Sequence, residues 1–119
     1  MQLTPEEWVR QHVIQFLIQQ KGFSKSAINS EVAVEINGMK KRADLIVYQK
    51  EKVFLIVECK APEITISEKT FDQIARYNLE LNADYLMVTN GLNHYYCQMD
   101  FENSRYEFSK ELPDSSDLK

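Results

Sequence analysis

The run Val53-Phe54-Leu55-Ile56-Val57 is apolar at every position and then turns abruptly into Glu58-Cys59-Lys60. Neighbouring side chains of a strand point to opposite faces, so a strand can be apolar throughout only where both faces are covered. This run therefore predicts a central strand over 53–60, in a sheet with helices on both sides. It also predicts a special end. A carboxylate carried on a buried strand is costly unless it is paired or bound to a metal.

The flanking segments fit that sheet. Thr4-Pro5-Glu6-Glu7 reads as a helix start, with Thr4 as N-cap, Pro5 at the first helical position and Glu7 completing a capping box. Trp8, Val9, Val13, Phe16 and Leu17 recur at helical spacing as one apolar face, and Gly22 is a suitable stop. Glu31–Ile36 alternates with Val32, Val34 and Ile36 on one side, Asn37-Gly38 predicts a tight turn, and Arg42–Tyr48 returns as a second strand. Ala61-Pro62 ends the third strand. A second helix is expected over Ser67–Leu81, capped by Thr65 or Ser67, with Phe71, Ile74, Ala75, Asn78 and Leu81 inward. Tyr85–Thr89 predicts a buried strand parallel to the third. Asn90-Gly91 turns the chain into a hairpin of His94–Phe101 and Arg105–Phe108. The expected fold class is α/β: a helix, three antiparallel strands, a helix, a strand and a small β-hairpin appended. Residues 1–109 form the expected domain, and 110–119, KELPDSSDLK, a polar tail.

With 119 residues the chain has room for one core. No apolar run is long enough to span a bilayer, and the N-terminus lacks the pattern of a secretory signal. Cys59 and Cys97 form no CxxC motif, which suits a reducing cytoplasm. A net charge of -4 speaks against a general nucleic-acid binder. An enzyme that gathers carboxylates around a metal can be acidic overall and carry a local basic surface. Lys40, Lys41 and Arg42 are the densest basic cluster, readable also as a solvated strand end.

Three residues on two strands suggest a centre. Glu58 and Lys60, two apart, share a face if the strand is regular. Asp44 and Glu58 stand at equal distances from Glu51, so a hairpin centred there sets them opposite each other on one face, whereas a one-residue slip would separate them. Two adjacent carboxylates repel, and a divalent cation resolves this; oxygen ligands suit Mg²⁺, with Mn²⁺ as a substitute. Such an ion orients water, polarises phosphorus and neutralises a departing oxygen. Lys60 then positions or deprotonates the water, or stabilises the charged transition state. An E-x-K triplet alone is common by chance, and the plainer reading is a structural salt bridge. His12, His94, Cys59 and Cys97 have no zinc-ligand spacing. Tyr95, Tyr96 and Phe101 could stack on bases but read more simply as hairpin packing. Arg76 and Lys69 could touch phosphates or form a solvated helix face.

Asp44 followed by Glu58-Cys59-Lys60 resembles the PD-(D/E)xK nuclease signature in its Glu form, without the upstream proline, since Ala43 precedes Asp44. The stretches Lys41–Asp44, Val57–Pro62 and Phe71–Tyr77 resemble the N-terminal nuclease domain of type I restriction enzyme R subunits, over about Thr4 to Phe101. The resemblance implies a restriction-endonuclease-like fold and Mg²⁺-dependent DNA cleavage, probed first as an endonuclease. It implies Asp44 and Glu58 as metal ligands and Lys60 as a catalytic residue. It also implies a polar role for the Q-x-x-x-Y pair Gln73 and Tyr77, which share a helix face, although surface and packing roles are an alternative. Glu7 matches an acidic residue of the first helix in related nucleases, but a capping box already accounts for it. No G-x-x-x-x-G-K-[ST] loop occurs, so ATP-driven translocation is not expected of this chain alone. The expected partners are DNA and a separate ATPase motor or other restriction-modification subunits. Cutting both strands needs two centres, which suggests a homodimer or paired encounters. The alternative function is a catalytically idle DNA-binding or assembly module on the same fold.

Overall fold

The computed structural model describes residues 4–36, 38–79, 82–109 and 111–113, with backbone alone for 34–36, 39–42 and 77–79. Among these, α1 (Pro5–Gln19) is followed by a short 3₁₀ turn (Lys25–Ala27), then β1 (Ile28–Ile36), β2 (Met39–Gln49), β3 (Lys52–Cys59), α2 (Glu68–Leu79), β4 (Tyr85–Thr89), β5 (His94–Asp100) and β6 (Arg105–Ser109). The described strands form one six-stranded sheet in sequential order. Only the β3–β4 pair is parallel; the others are antiparallel. No described helix is long and apolar enough to cross a membrane.

Local chemistry sets the helix ends. Thr4 Oγ1 accepts the Glu7 N–H at 3.1 Å, opening α1. Gly22, at φ +76°, turns the chain so that the Phe23 N–H reaches the Leu17 carbonyl at 3.0 Å. Ser67, not Thr65, caps α2: its Oγ accepts the Thr70 N–H at 3.1 Å.

Each face of the sheet carries its own core. Val9, Val13 and Leu17 of α1 pack on Leu45, Val47, Leu55, Val57, Cys59 and Met87. Phe71 and Ala75 of α2 pack on the opposite face with Ile46, Ile56, Leu86, Val88 and Cys97. Burial of a Leu or Val side chain contributes about 1.5–3 kcal/mol, so these two layers are the main source of stability.

The structure departs from the sequence-based expectations at several points. Trp8 is not part of the buried stripe; it is 44% exposed, one position off the Val9–Val13–Leu17 line. The last hairpin is no appendage, because β5 pairs with β4 and β6 with β5 in the same sheet. The reason lies in β4, whose Leu86, Met87 and Val88 are buried and need a neighbour on either side. β1 begins three residues earlier than expected, through the exposed Asn29 and Ser30, whose polarity hides the strand pattern. Within the expected tail, Leu112 is buried in the α1-side core, and Lys21 Nζ donates to its carbonyl at 2.7 Å. Asn37 and Leu81 lie outside the described residues, as does the Asn78 side chain.

Candidate functional site

The β2–β3 pairing brings the acids abreast. The ladder ends at Leu45–Val57, so Asp44 and Glu58 are the residues that immediately follow its last pair. The register arises differently from a hairpin centred on Glu51. A two-residue turn, Lys50-Glu51, joins Gln49 to Lys52, and Phe54 is an extra residue in β3, shifting the register between Val47 and Tyr48.

Regular alternation stops at Asp44. Leu45 belongs to the α1-side core and Ala43 to the α2-side core, so β2 changes face at the residue between them. On β1, Ser30 pairs with Leu45 and Val32 with Ala43, while Glu31 is skipped and sits at φ +53°. Asp44 Oδ2 consequently accepts the Cys59 N–H at 2.7 Å. Val57 and Cys59 belong to the α1-side core, so Glu58 between them turns to the α2 face, in register with Val88. Lys60 continues that ladder, its N–H donating to the Thr89 carbonyl at 2.8 Å. The two acids therefore do not share one face, as a regular hairpin would have them. They flank Cys59, with Asp44 reached from the α1 side and Glu58 rising on the α2 side. The Cys59 thiol registers both charges. Burial first, then Asp44 and Glu58, push its pKa up to about 12, with Arg10 opposing.

Asp44 lines a small polar cleft with Glu6, Glu7, Arg10, Glu31 and Cys59, of about 120 Å³. The Arg10 guanidinium bridges Glu7 and Glu31, the latter at 3.0 Å, and among the described residues its buried Nε has no partner. Burial works against the Arg10 charge, but the hydrogen bonds and charges of Glu31 and Glu7 outweigh it and raise its pKa. Sequence reasoning missed Arg10 and Glu31; the available signal was the i, i+3 spacing of Glu7 and Arg10. It also set Glu7 aside as a capping residue. Only the Glu7 N–H serves the cap: its carboxylate is held by Arg10 and by Gln11 Nε2 at 2.8 Å.

The other proposed residues are more scattered. Gln73 is exposed on α2; the Tyr77 side chain lies outside the described residues. Arg76 is ion-paired with Asp72 at 2.8 Å, and Asp72 also accepts from the Tyr106 hydroxyl at 3.0 Å, pinning α2 to β6. Lys40, Lys41 and Arg42 lie on β2 just before Asp44, paired with Glu35, Val34 and Ala33; their side chains are also outside the described set. Cys59 and Cys97 are free, buried and on opposite faces, His94 Nδ1 is 2.6 Å from Thr89 Oγ1, and His12 packs edge-on against Trp8. Among the described residues no three His, Cys, Asp or Glu side chains are grouped to hold a metal ion. A two-carboxylate site is still compatible with Mg²⁺, which keeps several waters. A carboxylate offers about four lone-pair positions, and the Cys59 bond uses one of those on Asp44.

A family model described as the type I restriction enzyme R protein N terminus matches residues 5–113. Among solved structures, a fragment described as an HsdR subunit of a type I restriction enzyme from Vibrio vulnificus shares the fold, with a TM-score of 0.62 at 17% identity. The match covers 99% of this chain and 25% of that one, so the chain spans about a quarter of its relative's length. No curated protein matches by sequence. The match to the family model spans both helices and all the described strands, and the chain belongs to the family of type I restriction enzyme R protein N-termini.

Proposed function

We propose that this chain is a metal-dependent DNA nuclease domain of restriction-endonuclease-like architecture, with Asp44 and Glu58 as metal ligands and Lys60 as the catalytic amine. The observation that carries the reading is the 2.7 Å bond from the Cys59 N–H to Asp44 Oδ2, which fastens an isolated acid of β2 to the Glu58-Cys59-Lys60 triplet of β3. The family supplies the reaction context: type I restriction, acting on DNA in company with further subunits.

The donor chemistry suits a hard divalent cation, since Asp44 and Glu58 both offer carboxylate oxygen, from either side of Cys59. Bound there, Mg²⁺ would lower the cost of generating hydroxide and of building negative charge on the phosphate. The chain's own residues do the rest. The Cys59 N–H fixes the Asp44 rotamer. The β3–β4 ladder fixes Glu58 and Lys60, through the Glu58–Val88 register and the Lys60 N–H bond to Thr89. The Lys60 ammonium holds the attacking water or neutralises charge on the phosphate as the P–O bond to the leaving oxygen breaks. Lys40, Lys41, Arg42 and Arg76 are the proposed phosphate contacts, and Gln73 and Tyr77 the polar pair on α2.

A catalytically idle DNA-binding or assembly module is the second reading. It is favoured by Arg10, whose ion pairs with Glu7 and Glu31 already place a positive charge in the cleft beside Asp44 without a metal. Plasmid nicking with Mg²⁺ or Mn²⁺ separates the two. An active domain nicks, and Asp44→Ala and Lys60→Ala each reduce the rate by about 10²–10³-fold or more. Equal cleavage by wild type and both variants would assign the activity to a contaminant, and no cleavage by any would favour the idle module.

A further inference from the structure

One cross-sheet row runs from the candidate centre to an exposed aromatic groove. Glu58 pairs with Val88, and Val88 with Tyr95, so all three lie on the α2 face. At a strand spacing of about 4.8 Å, Tyr95 stands two strands, or about 10 Å, from Glu58. That is about three 3.4 Å rises of a DNA strand. Tyr95 belongs to a ring cluster: the Phe71 centroid is 6.2 Å from Tyr95, 5.6 Å from Tyr106 and 4.9 Å from Phe108. Phe71 is buried as the floor, whereas Tyr95 is 38% and Phe108 60% exposed. Between them runs a groove of about 360 Å³ bordered by Ile66, Ser67 and Glu68.

We propose that this groove binds an unpaired nucleobase of the DNA strand whose backbone lies at Glu58 and Lys60. This rests on the nuclease reading above and narrows its substrate to DNA with unpaired bases near the cut. The groove's chemistry selects a base over other parts of DNA. Its walls are aromatic faces, which stack on bases regardless of sequence. Among the described residues its one charged rim residue is Glu68, which repels phosphate but accepts a hydrogen bond from an exocyclic amine such as that of cytosine. A base inside a duplex has both faces covered by its neighbours, so the occupant is single-stranded or flipped out.

The test is fluorescence anisotropy in EDTA, where nothing is cut, with labelled oligonucleotides of about 16 nucleotides: oligo-dC, oligo-dT and the oligo-dC·oligo-dG duplex. The expected order is oligo-dC over oligo-dT over duplex. Tyr95→Ala and Phe108→Ala are each expected to weaken single-strand binding by about 5- to 150-fold and to leave duplex binding unchanged. Tyr95→Phe keeps the ring and the affinity, and Glu68→Ala erases the preference for oligo-dC over oligo-dT. Wild-type protein photocrosslinked to 5-iododeoxycytidine oligonucleotide needs no variant to fold, and its adduct is expected on Tyr95 or Phe108. Duplex binding as tight as single-strand binding, or adducts only elsewhere, would overturn the proposal. So would a dimer that Phe108→Ala dissolves with single-strand affinity intact, since the occupant would then be a second copy. Because these measurements need no cleavage, the base site stands if nicking fails, and falls alone if nicking occurs without single-strand preference.

Discussion

The two ends of the β2–β3 hairpin each contain an irregularity, and they use it in opposite ways. At the turn, Lys50 and Glu51 both adopt positive φ, and Phe54 is an extra residue in β3. The extra residue is absorbed by packing: Phe54 is buried, its ring 5.6 Å from Phe23 and 5.1 Å from Tyr85. At the other end, Glu31 sits at positive φ, β2 changes face at Asp44, and the result is a polar cleft. The first irregularity governs the second. A two-residue turn without the bulge would set Asp44 against Val57; the added residue sets it beside Glu58. An apolar packing feature at one end of a hairpin thus determines which residue of β3 stands next to Asp44 in sequence register at the other.

Substitutions at the two ends should separate stability from chemistry. Phe54→Ala carries the largest stability effect, a loss of about 3–5 kcal/mol in urea denaturation, with neither proposed metal ligand touched. Asp44→Ala should cost less, about 1–3 kcal/mol, because the Cys59 N–H loses its acceptor. Asp44→Asn, whose amide oxygen can still accept that bond, should retain most of this stability and still fail to cleave plasmid DNA. If both Asp44 variants unfold equally early, the Cys59 bond is not what holds the site end together. Glu51→Gly relieves a left-handed backbone and should gain up to about 1 kcal/mol in thermal melts. Glu31→Gly should be near neutral, within about 0.5 kcal/mol, because relief of the same strain is offset by losing a half-exposed ion pair with Arg10. A large loss there would make the Arg10 bridge a structural element of the cleft.

The regular parts of the fold were readable in the residues. Val9, Val13 and Leu17 announce their helix by spacing, and Tyr85–Thr89 its strand by continuous apolarity, because periodic burial is written directly into composition. The bulge was not readable: Val53 to Val57 is apolar at each position, so no polar residue marks which one is extra. The expected facing of Asp44 and Glu58 on one side of the sheet rests on a regular hairpin centred on Glu51, whereas the structure has a shorter turn, Phe54 as an extra residue, a ladder that ends at Leu45–Val57 and the two acids on different faces. The change of face at Asp44 was equally hidden, since it depends on Glu31 of another strand. The capping role read for Glu7 is present in its bond to Thr4, but that bond uses only the N–H and leaves the carboxylate to Arg10 and Gln11, which the capping pattern does not reveal. Base stacking is one reading of Tyr95 with Tyr96 and Phe101, but its actual neighbours Phe71 and Phe108 come from other elements with no common spacing, so the groove itself was not legible.

The central claim is that Asp44 and Glu58 hold one divalent cation between them. Mn²⁺ titration followed by electron paramagnetic resonance tests this directly on wild type, Asp44→Asn and Glu58→Gln. The expected result is one bound ion per wild-type chain, competed by Mg²⁺, with binding lost in both variants while each stays folded. Wild-type protein that binds no Mn²⁺, or variants that bind it as wild type does, would contradict the account.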